Sequence, residues 1–186
     1  MRIVITKNKK QAILRKLNPG DLDLLHVYLQ KLSAETKKRF GPHKYDKESI
    51  IDFYKNSDTL LAYVGIDMET KEIIAYFLIK TGYLEHDHKR FESYGIELDN
   101  MTGCTFAPSV ADDWQSCGIG EQLFHYILSD LKTKGIQRIV LWGGVQMDNE
   151  KALNYYKKNH FKTAGQFTHN GENYDMMLDL DPSIAY

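Results

Sequence analysis

The sequence predicts a mixed α/β fold, with a central mixed sheet of about six to seven strands flanked by helices. Three observations predict it. A β-rich run, 59–66, and a run rich in Ile, Tyr and Phe, 72–84, flank the polar turn 67–71 and read as a hairpin. Apolar residues recur at helical spacing at Leu22, Leu25, Leu29 and Leu32, and again at Leu123, Ile127 and Leu131. From residue 101 onward, strand-like and helix-like segments alternate, as they do in parallel sheets with crossover helices.

Residues 1–10 are expected as a flexible N-terminus and 13–17 as the first strand. Asn18-Pro19-Gly20-Asp21 is a helix start, with Asn as cap, Pro at the first helical position and Asp in the first turn. Ser33-Ala34-Glu35-Thr36 restarts a helical turn, which Gly41-Pro42 ends. Asp46 caps a further helix with Ile50, Phe53 and Tyr54 inward. After the hairpin, 86–99 is polar and reads as a loop or short helix, and 101–110 is the next strand. The helix 121–133 stops at Gly135, 137–145 is a buried strand, and 149–159 is the last helix. Runs 161–168 and 174–180 close a hairpin across Asn170-Gly171, a strong turn signal. The order is β-α-α-β-β-β-α-β-α-β-β, and 1–186 is expected as a single domain.

Hydrophobic content of 42% and charged content of 26% are ordinary for a globular chain. A net charge of −1 supplies no strong field for nucleic acid or anionic lipid, so neither partner is expected. The short cluster Lys7, Lys9 and Lys10 reads as a solvated terminus. No segment approaches the ~20 apolar residues of a membrane span, and the opening apolar run is too short for a signal-peptide core. Cys104 and Cys117 are expected as free thiols of a cytoplasmic protein. No histidine joins carboxylates or cysteines at a metal spacing; His86-Asp87-His88 comes nearest and lacks a third ligand, so no metal is expected.

The most informative stretch is Gln115-Ser116-Cys117-Gly118-Ile119-Gly120. It follows a strand and opens a helix, which aims backbone N–H groups at one point and suits a phosphate. Its spacing fits neither the P-loop nor the dinucleotide fingerprint. Downstream, Asn149-Glu150-Lys151-Ala152-Leu153-Asn154-Tyr155-Tyr156-Lys157-Lys158-Asn159-His160-Phe161 is a helix running into a strand.

Together the two segments resemble the GNAT superfamily of N-acetyltransferases. Val110-Ala111-Asp112-Asp113-Trp114-Gln115-Ser116-Cys117-Gly118-Ile119-Gly120 looks like its acetyl-CoA loop, and 149–161 looks like its Asn-x-x-Ala-x-x-x-Tyr-x-x-x-Gly-Phe helix, with His160 in place of that glycine. The resemblance is strong over about residues 100–180. It implies the acyl-CoA N-acyltransferase fold, with acetyl-CoA as co-substrate. It assigns the pantetheine arm to the backbone of Pro108, Ser109 and Val110. The pyrophosphate falls to Gln115, Ser116, Cys117, Gly118, Ile119, Gly120 and Glu121, and a further cofactor contact to Asn149, which also suits a helix cap. It makes Tyr156 the catalytic acid that meets the departing thiolate.

A phenol of pKa about 10 is protonated at neutral pH, whereas a thiol titrates near 8.5. Full proton transfer is then uphill by ~2 kcal/mol, and stabilising the thiolate by a hydrogen bond is the better description. Without the loop motif, Tyr156 reads as a core aromatic. Tyr155 points about 100° away. The base is not identified: Glu85, His86, His88, Glu97 and Asp99 flank the relevant strands, and a water chain could serve. Arg39, Phe40 and His43 lie in a region that shapes the acceptor pocket in this family. No Cys–His pair is evident, so direct transfer to a primary amine in a ternary complex is expected rather than an acetyl-enzyme. The acceptor, a small molecule or a protein amine, is not named by the sequence; homodimers are common in the family. Two alternatives stand beside this reading: a non-catalytic acyl-CoA-binding or regulatory module on the same fold, and an unrelated nucleotide-binding α/β domain.

Overall fold

The computed structural model describes residues 1–180, and residues 181–186 of the expected domain lie outside that range. The chain divides into two compact units, residues 1–79 with 107–129 and residues 80–106 with 130–186. Among the described residues nine strands are hydrogen-bonded into the sheet, against the six to seven expected.

The first unit carries β1 (Arg2–Ile5), β2 (Gln11–Lys16), β3 (Leu60–Asp67), most of β4 (Ile73–Thr81) and the end of β5 (Gly103–Val110). Its helices are α1 (Leu22–Lys31), α2 (Ala34–Arg39), α3 (Lys47–Lys55) and the greater part of α5 (Ile119–Thr133). The N-terminus, expected as flexible, is strand β1, antiparallel to β2 from Arg2↔Leu14 to Ile5↔Gln11. Thr6 N–H reaches Lys10 O at 2.9 Å across the turn, which Lys9 makes at φ +63°. Ile3 and Ile5 are largely exposed, as an edge strand's outer face allows. β2 alternates buried Ala12 and Leu14 with outward neighbours, the period of a strand covered on one face. β4 is buried without interruption from Ile73 to Ile79, as a strand covered on both faces must be.

Helical turns begin where the sequence announces them, although Asn18, the expected cap, makes no side-chain cap hydrogen bond. Asp21 accepts from Asn18 N–H (2.7 Å) and receives Arg15 bidentately (2.5 and 2.9 Å). Ser33 Oγ accepts from Thr36 N–H, and Asp46 from Ser49 N–H. Leu25, Leu29 and Ile50 are fully buried, and Leu123, Phe124, Ile127 and Leu128 line the buried side of α5.

The second unit carries α4 (Glu85–Ser93), the start of β5, β6 (Arg138–Leu141), β7 (Val145–Gln146), α6 (Glu150–Lys158), β8 (Lys162–Thr168) and β9 (Glu172–Asp179). β5 and β6 are parallel from Gly103↔Arg138 to Phe106↔Leu141. β9 pairs antiparallel with β6, β7 and β8. The expected strand 137–145 is interrupted: Gly143 and Gly144 turn the chain at φ +69° and +70°, and Val145 and Gln146 re-enter the ladder as β7. A Cβ on Gly144 would lie 2.7 Å from Tyr174 O, so both the backbone angle and the space call for glycine. This interruption and β1 account for the two extra strands.

α4 is helix where a loop or short helix was expected. Its Phe91 packs with Tyr83, Leu98 and Val140 in the core of this unit.

Candidate functional site

The loop that leads into α5 is built from main chain. After β5, Ala111 N–H donates to Ile74 O (2.9 Å), and Asp112–Trp114 form a tight 3₁₀ turn closed by Trp114 N–H on Ala111 O (2.8 Å). Trp114 is buried, which anchors the loop, and Lys10 Nζ stands 4.9 Å from its ring. The chain then alternates into the left-handed region at Ser116 (φ +62°) and Gly118 (φ +88°). Successive N–H groups in such an alternation converge into an anion-binding concavity. Gly118 O accepts the bond from Gln122 N–H (3.2 Å), so Gly118 is the cap and Ile119, Gly120 and Glu121 are the first turn of α5. That turn carries the N–H groups that point outward along a helix axis, at its positive end.

Side chains in this loop hold the shape. Ile119 is fully buried, and its Cδ1 lies 3.5 Å from the position a Cβ on Gly65 would take. Cys117 is buried and donates its S–H to Trp114 O (2.8 Å). Gln115 Nε2 donates to Val110 O (3.3 Å). Lys7, Lys9 and Lys10 are exposed, as expected, but Lys7 N–H donates to Cys117 O (2.9 Å) and the Lys7 side chain runs beside Gly118. Pro108, Ser109 and Val110 lie on β5 beyond its last paired residue with β6, Phe106. Pro108 has no N–H for a ladder, and Ser109 is buried with its Oγ 2.8 Å from Tyr28 Oη.

In the second unit, Asn149 caps α6: its side chain accepts from Ala152 N–H (3.2 Å), and its carbonyl from Leu153 N–H (2.9 Å). Tyr156 sits in the last turn with its ring 7% exposed. The turn is tied off by Phe161 N–H on Tyr156 O and His160 N–H on Lys157 O, both 3.0 Å, with His160 at φ +65°. This is a Schellman closure, and its customary apolar contact is the Tyr156–Phe161 ring pair at 5.4 Å. The helix end therefore fixes the Tyr156 ring. Burial pushes the Tyr156 hydroxyl well above its ordinary pKa, so it stays protonated.

The residues considered as bases have structural partners or open surroundings. Asp99 accepts from Met101 N–H and Thr102 Oγ1, both at 2.9 Å, which hold its carboxyl low. His88 Nε2 lies 3.1 Å from Asn100 Oδ1, and the His86 side chain is largely exposed. His86, Asp87 and His88 lie in helix α4 rather than in an extended segment. Asp87 is buried instead, where Arg90 bridges it (2.7 Å) to buried Asp175 (2.7 and 2.8 Å). Among the described residues no group of three or more His, Cys, Asp or Glu side chains could hold a metal ion.

Two features carried no sequence signal. Asp112 accepts from Ser33 N–H, Ser33 Oγ and Thr36 Oγ1 at 2.7–2.9 Å, which ties the loop to the start of α2. Burial raises its pKa, but these bonds outweigh burial and leave it below the usual range. The second feature is a hydrogen-bonded chain of Tyr54, Tyr76 and His43. Its members lie far apart in sequence, and only the register of the helices against β4 brings them together.

A strand that runs into a left-handed glycine loop at the head of a long helix, on a mixed sheet, is an anion-binding arrangement of α/β proteins. The chain belongs to the acetyltransferase (GNAT) family, whose model matches residues 26–161. Its fold is similar to that of the GNAT domain of a Streptomyces lividans protein, PAT (TM-score 0.73, 17% identity, 96% of each chain covered). It is also similar to a GNAT-family acetyltransferase from Streptococcus pneumoniae (TM-score 0.67, 17% identity, 91% of this chain and 99% of that one). A Vibrio cholerae spermidine N-acetyltransferase, solved with CoA and spermine, gives a TM-score of 0.66 at 19% identity over 90% of this chain and 95% of that one. No curated protein sequence matches the chain.

Proposed function

We propose that the protein transfers an acetyl group from acetyl-CoA directly to a primary amine. The observation that carries this reading is the loop 115–121, where two left-handed residues and the first turn of α5 gather main-chain N–H groups. That donor set fits a pyrophosphate, and it needs no particular side chain. Pro108, Ser109 and Val110 are assigned to the pantetheine arm and Asn149 to a further cofactor contact. The amine nitrogen attacks the thioester carbonyl, the C–S bond breaks, and the Tyr156 hydroxyl donates a hydrogen bond to the leaving sulfur. A buried phenol held protonated is suited to donate rather than to attack. The spermidine acetyltransferase among the structural neighbours makes polyamines a reasonable first acceptor class.

Calorimetric titration with acetyl-CoA, with ATP and NAD as controls, tests the loop; a folded protein that ignores acetyl-CoA sinks the assignment. An amine panel scored by CoA release then tests transfer. Tyr156→Phe should keep the acetyl-CoA Kd within twofold and lose about 100- to 1,000-fold in kcat, the range for one preorganised donor. Unchanged turnover in that variant would return Tyr156 to the role of a core aromatic.

A further inference from the structure

The proton lost by an ammonium acceptor needs a destination, and the segment between α2 and α3 offers one. Gln30 Nε2 donates to Tyr45 O (2.9 Å), and Tyr45 Oη donates to the carbonyls of Lys37 and Phe40, which pins the segment. His43 is held within it, its ring packed on Phe53 (4.8 Å), Tyr76 (5.8 Å), Phe40 and Tyr45 (6.4 Å each). His43 Nδ1 lies 2.8 Å from Lys44 O, His43 Nε2 lies 3.1 Å from Tyr76 Oη, and Tyr76 Oη lies 2.5 Å from Tyr54 Oη.

These partners fix every proton in the neutral chain. A carbonyl only accepts, so Nδ1 carries the imidazole proton and Nε2 is left to accept. Tyr76 must therefore donate to His43, and Tyr54 must donate to Tyr76. The lone pairs of Tyr54 Oη remain at the open end of a one-way chain, and Tyr54 itself is half-buried.

We propose that Tyr54, Tyr76 and His43 form a proton relay that deprotonates the ammonium of the acceptor, an inference that rests on the acetyltransferase reading above. The ammonium gives a proton to Tyr54 Oη as the Tyr54 proton passes to Tyr76 and the Tyr76 proton to His43 Nε2. The products are a neutral amine, two unchanged phenols and an imidazolium, so charge and protons balance. Burial keeps both phenols protonated and pulls the His43 pKa below its ordinary value, so the imidazole starts empty. The titratable groups nearest His43 are Tyr76, hydrogen-bonded to it, Tyr45, whose ring packs on it, and, one bond further, Tyr54; Phe40 and Phe53 also pack on the ring, which stays partly exposed. The relay stands near the strand assigned to the cofactor: Tyr76 lies on β4, whose Ile74 O accepts from Ala111 N–H directly after Val110 of β5.

The test uses the full chain, an amine that releases CoA, and kcat/KM measured from pH 5.5 to 9 for wild type, His43→Gln and Tyr54→Phe. The wild-type value should rise through the His43 ionisation and then level. Both variants should fall about 100-fold at neutral pH, the lower range for general-base catalysis. Their kcat/KM should then climb steadily toward the pKa of the amine, with the acetyl-CoA Kd within twofold of wild type. A variant profile of the wild-type shape, or rates within twofold, overturns the relay. If His43→Gln does not fold, Tyr54→Phe gives the same reading by removing one hydroxyl. Wild-type protein that neither binds acetyl-CoA nor releases CoA overturns the acetyltransferase reading together with the relay, whereas active wild type with unaffected variants overturns the relay alone.

Discussion

His43 shows how one residue can report on both stability and chemistry. Taking a proton from an alkylammonium of pKa about 10.4 to an imidazole at its ordinary 6.5 is uphill by roughly 5 kcal/mol, and by more once burial lowers the ring's pKa. A barrier of about 16 kcal/mol, typical of turnover near 10 s⁻¹, contains that cost. The folded state also disfavours the charged ring, because burial lowers its pKa. The unfolded chain therefore takes up the proton first as pH falls. Stability should be level above about pH 6.5, the unfolded value, and should decline below it until the folded His43 also titrates. Urea unfolding of wild type and His43→Gln at pH 5.5 and 7.5 checks this: the stability advantage of wild type should shrink at the lower pH.

The helix ends carry the argument at the scale of elements. α4 and α5 close as α6 does: Ile96 N–H reaches Phe91 O and Ile136 N–H reaches Leu131 O, with Gly95 and Gly135 near φ +75°. His160 holds the same left-handed place in α6 with a side chain attached, at a cost of about 1–2 kcal/mol. Glycine there removes that strain but makes the unfolded chain freer, which returns part of the gain. His160→Gly should thus raise stability by about 0.5–1 kcal/mol and leave Tyr156 in place, measured as a higher urea midpoint at unchanged slope. This also explains the departure from the glycine of the family: the position demands a left-handed backbone, and here a histidine adopts it.

For the molecule as a whole, residues distant in sequence shape the loop proposed to hold the cofactor. Lys7 N–H on Cys117 O and Gln122 Nε2 on Ile5 O (3.2 Å) join the N-terminal hairpin to it. A chain lacking residues 1–8 should keep its helical circular dichroism but bind acetyl-CoA about thirtyfold more weakly, the worth of two hydrogen bonds of ~1 kcal/mol each. Local patterns made much of the fold legible: the caps at Ser33 and Asp46, the glycine loop, and the turn at Asn170-Gly171. What stayed hidden depends on pairing across long separations. β1 exists because Arg2 to Ile5 meet Leu14 to Gln11, and β7 because two glycines break a run that reads as one strand. The Asp87–Arg90–Asp175 bridge spans α4 and β9, and neither segment alone suggests a buried ion pair. For the same reason, the candidate loop and α6 could be picked out from local sequence, whereas His43 and Tyr54 appear there only as members of a region and a helix face, and their hydrogen-bonded chain with Tyr76 comes from packing.

The placement of the two thiols has a practical consequence. Cys104 is buried with its thiol pushed far up in pKa, and Cys117 is buried with its S–H turned inward to Trp114 O. The protein thus comes with a quiet background for maleimide chemistry. A cysteine introduced on an exposed face can carry a dye or spin label without either native residue being replaced, and a pair of them can serve as a molecular ruler in the otherwise unaltered chain.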